Sequence, residues 1–168
     1  MDGNPRAGET FLPIDNSAAK GVDMPYQRIV VGTDGSGRAA AAVEEALALA
    51  KAYGGTVHAV TVVSDEVAAG FADSAHFKVD ELHFSVEQIG KHLKAEAEGR
   101  GVPLEFHNPG TDDPADGLLK IAEAVDADLV VVGNRGMTGM KRFLLGSVPN
   151  KISHHCPCSV LIVNTDSE

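Results

Sequence analysis

Two glycines near the C-terminus, Gly133 and Gly136, stand where the backbone could bind a phosphate. They follow the unbroken apolar run Leu129–Val132, which has the pattern of a buried strand. A strand that ends in glycines and leads into a helix leaves backbone N–H groups unpaired, and glycine lets an anion approach them closely. The spacing therefore predicts a main-chain anion site at the end of this strand.

A second anion site is predicted ten residues beyond Gly136, at Gly146-Ser147-Val148. Gly146 and Pro149 disfavour one continuous helix through this segment, so the chain should break at Gly146. Ser147 should then cap a new helix, with Pro149 in its first turn, that runs to about His154. Two anion sites joined by a short connector suit a chain of phosphates, as in a nucleotide, better than a single phosphate.

The distribution of charge supports an anion site in this part of the chain. There are 24 acidic and 14 basic residues, for a formal net charge of −10, yet residues 129–165 contain neither Asp nor Glu. An acidic protein that binds an anion needs such a local reversal of its own field. From charge alone we expect Arg135 and Arg142 to contact phosphate, with Lys141 and Lys151 adding to the positive potential. The alternative is an acid-poor helix and strand that only pack against the rest of the domain.

The composition fits one globular domain and argues against several other classes of protein. Hydrophobic residues make up 43% of the 168 residues, which suffices for an aliphatic core. The acidic balance argues against nonspecific nucleic-acid binding, and no apolar run approaches the ~20 residues that span a membrane. There is no secretory signal pattern and only two cysteines, so we expect a cytoplasmic protein. Residues 1–25 lack periodicity and are predicted to be a flexible arm before a domain spanning 26–168.

Metal-binding residue types cluster before the last predicted strand, at His154, His155, Cys156 and Cys158. A structural zinc site usually draws its four ligands from two separated pairs, and the sequence has no second pair. We therefore predict no metal site, and a packing role for these side chains. The remaining histidines are scattered along the chain and are expected to be solvated rather than catalytic.

Strand and helix patterns alternate from residue 28 onward. Continuous or alternating apolar runs predict strands, and apolar residues three and four apart predict helices. The predicted strands are 28–32, 57–63, 102–106, 129–132 and 159–163, and the predicted helices begin near residues 38, 79, 113 and 147. This alternation predicts an α/β fold, a single domain with a mostly parallel five-stranded sheet and helices on both faces.

Three separated segments together resemble the universal stress protein family, in its nucleotide-binding branch. The signature of that family is Gly, two residues, Gly, nine residues, Gly, then Ser or Thr, and Gly133, Gly136, Gly146 and Ser147 match it without a change in spacing. Residues 29–36 and 158–163 are similar to the first strand and turn and to the last strand of the family. The resemblance covers residues 26–165 and implies a Rossmann-like sheet in the strand order 3-2-1-4-5.

The resemblance also implies roles for individual residues in a crevice between strands one and four. Gly32, Thr33 and Asp34 would lie opposite Gly133, and Asp34 would contact the adenosine part of a nucleotide. The backbone of Val62 would read the adenine edge. The residue before it is Thr61, where many relatives have His. Because the adenine contact would be made by the backbone, this change should matter little. The phosphates and ribose would be held by Gly133, Gly136, Gly146, Ser147 and Val148. On the residues alone, Asp34 and Ser147 could instead be helix caps.

These observations predict a regulatory protein of the stress response that binds an adenine nucleotide. Two phosphate sites suit ATP, with or without Mg²⁺, while AMP and cyclic AMP remain open within the family. A slow ATP hydrolase or an autophosphorylating enzyme is the alternative, although the chain has no Walker A lysine motif or kinase catalytic loop, and Asp34 is the one obvious carboxylate of the implied crevice. A dimerisation module with an empty cleft is a third reading, which the intact glycine signature disfavours. The resemblance implies a homodimer through Val160–Val163, because an uncovered strand edge invites pairing.

Overall fold

The computed structural model describes residues 25–62, 79–134 and 145–165, with side chains from residue 86 onward in the second range. The predicted N-terminal arm, residues 1–25, lies outside this part of the chain except for Pro25. Arg135, Gly136 and Arg142 of the predicted site also lie outside it.

The described residues form the predicted α/β fold around one parallel sheet of five strands. The strands are β1 (Arg28–Gly32), β2 (Thr56–Val60), β3 (Leu104–His107), β4 (Leu129–Gly133) and β5 (Ser159–Val163). The helices are α1 (Gly37–Tyr53), α2 (Val79–Arg100), α3 (Pro114–Ala124) and α4 (Ser147–His155). The strand order is β3-β2-β1-β4-β5 and every pairing is parallel, which confirms the order that the family resemblance implied.

Alternation along the central strands divides the core into two layers. Ile29 and Val31 of β1 belong to the apolar cluster that contains α1 and the C-terminal half of α2, whereas Val30 belongs to the cluster that contains α3 and α4. All three valine and isoleucine side chains are fully buried. Because successive side chains of a strand leave opposite faces, a continuous apolar run is what a sheet covered on both sides requires.

Strand β2 is shorter than predicted, ending at Val60 instead of residue 63. Gly32 of β1 and His107 of β3 are the last strand residues on either side, and both are in register with Val60. The prediction was wrong at this end because β2 loses both hydrogen-bonding neighbours at the same level. Thr61 and Val62 therefore lie beyond the end of β2, at the carboxyl edge of the sheet where β1 and β3 also end.

Helix α4 begins one residue differently from the prediction. Gly146 has an extended backbone (φ −61°, ψ 164°), and its carbonyl accepts the first helical bond from Asn150 N–H at 3.0 Å. Gly146 is therefore the N-cap and Ser147 is the first helical residue, so the prediction of Ser147 as the cap was wrong. Pro149 does lie in the first turn, as predicted. Helix α3 starts where predicted, and its N-cap is Asp113, which accepts from Ala115 N–H at 2.8 Å.

Candidate functional site

The crevice lies at the carboxyl ends of β1 and β4, which are neighbours in the sheet. Strand β1 leads into α1 on one face, and the described chain after β4 resumes at α4 on the other face. Ligands of open α/β sheets bind where the chain departs to opposite faces in this way. The fold therefore places its natural binding crevice between the turn after Gly32 and the glycine that ends β4.

A cavity of about 300 Å³ occupies this crevice. Its volume lies at the lower end of the range of small-molecule pockets. Seven of the eleven predicted site residues line it: Gly32, Thr33, Asp34, Val62, Gly133, Ser147 and Val148. An apolar floor and wall come from Val60, Leu118, Val132 and Pro149. Segments 100 residues apart in the chain thus meet in one cavity, which the sequence pattern could suggest only through the family resemblance.

Asp34 lies in a tight turn between β1 and α1. Its Oδ1 accepts a hydrogen bond from Ser36 N–H at 2.9 Å, and Ser36 in turn caps α1 by accepting from Ala39 N–H at 3.3 Å. Asp34 is therefore not the helix cap, and Ser36 fills that role. Among the described residues that line the cavity, Asp34 is the only ionisable one, and its side chain is exposed.

Thr61 fixes the wall on which Val62 lies. Thr61 is 2% exposed. Its hydroxyl donates to the Thr33 carbonyl oxygen at 2.8 Å, while Thr33 N–H donates to the Val60 carbonyl at 3.0 Å. These bonds hold the ends of β1 and β2 together just below the cavity. Sequence reasoning assigned Thr61 no role, because its partner is a backbone atom that only the strand pairing brings within reach.

Asn134 organises the opposite wall, and sequence reasoning missed it as well. Its carbonyl oxygen accepts from Gly146 N–H at 3.0 Å, and its N–H donates to the Val163 carbonyl at 2.8 Å. Its side-chain Oδ1 accepts from the N–H and the hydroxyl of Thr165, at 3.0 and 2.7 Å. Asn134 therefore joins the end of β4 to the start of α4 and to the chain after β5.

The first turn of α4 faces the cavity without a capping side chain. The N-cap residue is Gly146, which has no side chain that could accept a hydrogen bond from the N–H groups of this turn. Pro149 has no N–H, so the backbone donors of the turn that line the cavity belong to Ser147 and Val148. A helix start carries a partial positive charge, which favours an anion here.

Lys151 does not contribute its charge to the cavity. Its ammonium group contacts Asp113 at 3.0 Å and Asp116 at 2.7 Å, so it pairs α4 with α3. Burial would raise the pKa of the Asp113 carboxyl, but hydrogen bonds from Lys151 and from the Ala115 and Asp116 N–H groups outweigh it and hold the pKa below its ordinary value. The two helices that flank the cavity are joined by this cluster.

The two cysteines are free thiols close to each other at the end of α4. Their Sγ atoms are 3.5 Å apart, and both side chains are half-buried beside the α3–α4 cluster. Burial raises the pKa of the Cys158 thiol to about 12, and its hydrogen bond with Cys156 acts in the same direction. A protonated, half-buried thiol is a weak nucleophile, and both side chains pack against the apolar cluster of α3 and α4.

Comparison with known proteins agrees with this architecture. The model of the universal stress protein family matches residues 25–164. A Methanocaldococcus jannaschii universal stress protein is 32% identical over 151 residues, covering 88% of each chain, and a Staphylococcus epidermidis protein that carries the same family name is 33% identical, covering 85% of this chain and 87% of its own.

Among solved structures, a universal stress protein in complex with cAMP is 31% identical to this chain. It superimposes with a TM-score of 0.64 and covers 84% of this chain and 99% of its own. None of the helices in the described ranges is long and apolar enough to cross a membrane. Fold, signature spacing and relatives agree, and the chain belongs to the universal stress protein family.

Proposed function

We propose that this protein binds an adenine nucleotide in the crevice between β1 and β4, and that occupancy changes its conformation or its choice of partner during a cytoplasmic stress response. The observation that carries the proposal is the cavity itself, which is lined by Asp34, by Gly133 and by the start of α4, where no side chain caps the helix. The cAMP complex of a universal stress protein 31% identical to this chain supports a purine nucleotide as the occupant.

Each wall of the cavity suits a different part of a nucleotide. Val62 and Leu118 offer an apolar surface to the base, and the Val62 backbone has left the sheet and so can hydrogen-bond to a base edge. Asp34 uses one carboxylate oxygen within its own turn, and its second oxygen can accept from a ribose hydroxyl. The Ser147 and Val148 N–H groups would bind phosphate.

The remaining signature residues complete the proposed phosphate site. Gly133 lines the cavity, whereas Gly146 N–H already donates to Asn134, so Gly146 would act by placing the first turn of α4. Gly136, Arg135 and Arg142 lie outside the described residues, and their contacts with phosphate remain part of the proposal.

ATP is the favoured ligand because a glycine loop and a helix start provide two positions for phosphate. Cyclic AMP is the second candidate, since the 31% identical relative was solved with it. Where Mg²⁺ accompanies ATP, Asp34 is the carboxylate of the described wall that could contact it. Efficient phosphoryl transfer needs a held metal and a group that orients the nucleophile. With one carboxylate in this wall, hydrolysis should be slow, and we favour binding over catalysis.

Isothermal titration of the ligand-stripped full chain with ATP, ADP, AMP, cyclic AMP and adenosine tests the proposal. We expect saturable one-to-one binding of at least one of the nucleotides, with adenosine weaker because the start of α4 then has no anion to bind. If none of the five compounds shows saturable binding, the proposed function is wrong. Mass spectrometry of any ligand that copurifies would identify the natural occupant.

Substitution at Ser147 tests whether phosphate lies at the start of α4. Ser147→Asp adds a negative charge at a position where acidic residues stabilise helices, so the fold should be preserved. At ~4 Å and an effective dielectric constant of about 20, repulsion between unit charges is several kcal/mol, so ATP affinity should fall by about tenfold or more. The effect on adenosine should be small.

Ser147→Asn is the matched control, because it has the shape of Asp without the charge. We expect it to retain ATP affinity within about threefold, a difference of less than 1 kcal/mol. Equal losses in the two variants would mean that the side chain only blocks the site. Unchanged ATP affinity in Ser147→Asp would place the phosphates elsewhere.

A further inference from the structure

Three side chains on the β2–β3 edge of the sheet form a cluster that the nucleotide site does not use. His58 of β2 is in register with Glu105 of β3, and His107 follows two residues later on the same strand. Alternate residues of a strand leave the same face, so these three side chains share the face that also carries Val60, on the α3 side. None of the three lines the cavity. The expectation of solvated histidines was wrong for His58, which is 6% exposed.

The ligand atoms of this cluster are spaced as a metal site requires. His58 Nδ1 lies 3.2 Å from His107 Nε2 and 3.6 Å from Glu105 Oε2, and the latter two atoms are 3.8 Å apart. The nearest point that is equidistant from three atoms at these separations lies about 2.1 Å from each, which is the length of a zinc–nitrogen or zinc–carboxylate bond. One small ion could therefore contact all three groups with little movement of their side chains.

The chemistry of the three groups selects the kind of ion. Two imidazoles and one carboxylate suit Zn²⁺ and neighbouring divalent transition metals, whereas Mg²⁺ and Ca²⁺ prefer sites made of oxygen alone. Glu105 and Arg28 are the charged groups that act on His58 from the two neighbouring strands. Arg28 is also a nearby positive charge that will weaken the affinity, while Glu105 supplies the negative charge of the site.

An ion can reach this cluster from solvent, and the sheet holds the cluster in place. The Glu105 side chain is 64% exposed and that of His107 24%, so an ion can reach the cluster from solvent and keep a water as its fourth ligand. His58 is buried in the sheet and gives the site a rigid base. Without a metal, His58 Nδ1 and His107 Nε2 can share one proton in a hydrogen bond, so metal and proton compete for the same two atoms.

We propose that His58, Glu105 and His107 form a binding site for Zn²⁺ or a similar transition metal that joins the edge strand β3 to β2. The site is separate from the nucleotide crevice, and its existence does not depend on the function proposed above. Bound metal would stabilise the sheet edge, because all three ligands come from two adjacent strands and are not brought together in the unfolded chain.

Titration of tag-free, chelator-treated full-length protein with Zn²⁺ tests this site. We expect one ion per chain, a dissociation constant in the micromolar range or tighter, and a higher melting temperature with Zn²⁺. Glu105→Gln removes one ligand from an exposed position and should fold normally. Its affinity should fall by about tenfold or more, since even the loss of outer partners of metal ligands costs 10–100-fold. His58→Gln should behave similarly, with folding checked by circular dichroism because this residue is buried.

The matched controls test whether the histidines and cysteines near the end of α4 bind the metal instead. His154→Gln and Cys158→Ser should leave the affinity for Zn²⁺ unchanged, and the Co²⁺-loaded protein should lack a thiolate charge-transfer band. The proposal is overturned if Zn²⁺ binds only at millimolar concentration, if Glu105→Gln and His58→Gln bind as the parent does, or if the Co²⁺ spectrum shows thiolate ligation.

Discussion

A single buried hydroxyl couples the ends of the two strands, β1 and β2, that support the cavity wall at Val62. Thr61 is almost fully buried, and its hydroxyl satisfies the carbonyl of Thr33, the residue that precedes Asp34. This bond is partly buried, and a carbonyl shielded from water that loses its donor costs about 1–3 kcal/mol. The position of Asp34 thus depends on a side chain that directly follows another strand, β2.

Replacement of Thr61 by Val tests this coupling. Val has nearly the shape of Thr, so the change removes the hydroxyl with little change in packing. We expect the free energy of unfolding to fall by about 1–2 kcal/mol in urea titrations, with weaker nucleotide binding. Thr61→Ser keeps the hydroxyl and is the control that should retain nucleotide affinity. If Thr61→Val binds nucleotide as the parent does, the hydrogen bond does not position the site.

At the scale of elements, α3 and α4 flank the cavity from the same layer, and the start of α3 is joined to the middle of α4. Asp113 has two functions there, since it caps α3 and also accepts a hydrogen bond from Lys151 of α4 at 3.0 Å. Its pKa is below the ordinary value of 3.8, so the ionised form is favoured in the folded state. The stability that it contributes is therefore present above the unfolded pKa and is lost as pH falls through the folded one.

Asp113→Asn separates the cap from the charge. Asn caps a helix as well as Asp does, whereas Asp113→Ala should lose about 1 kcal/mol of stability with the cap. Asp113→Asn should be slightly less stable than the parent at pH 7, and the difference should shrink as the pH falls below about 4, where the parent carboxyl becomes protonated. Urea unfolding at pH 7 and pH 3 measures this. A difference that is the same at both pH values would show that the charge has no stabilising role.

The sequence allowed the elements to be predicted better than their contacts. Apolar runs predicted the strands, and the glycine at position 146 predicted the break before α4. Contacts that depend on strand register could not be predicted, because register requires knowing which strands are neighbours. Asn134 and the group formed by His58, Glu105 and His107 are of this kind, since their partners lie on other elements.

At the scale of the whole molecule, the two edges of the sheet differ. Edge strand β3 follows Pro103 and carries Glu105, and proline and charge are devices that protect an edge from pairing. Edge strand β5 has an uncharged apolar run at Val160–Val163. Those four side chains are only half-buried in the single chain. This contrast supports the expectation, drawn above from the family resemblance, that two copies associate through β5.

The pairing direction of β5 identifies the backbone groups that would form such a dimer. The Val163 carbonyl accepts from Asn134 and so points toward the β4 side. Because the polar groups of successive strand residues point to alternate sides, those of Val160 and Ile162 point away from β4. Proline at position 162 would remove an outward N–H without removing a bond to β4.

Ile162→Pro should therefore abolish the dimer, whereas Ile162→Val, which keeps the N–H, should preserve it. Sedimentation at micromolar concentrations measures the mass, and circular dichroism checks that the proline variant is folded. Each chain carries a net charge of −10, so two copies repel at long range, and salt should strengthen association by screening that repulsion. A parent protein that stays monomeric at high salt, or a folded Ile162→Pro variant that still dimerises, would show that β5 is not the interface.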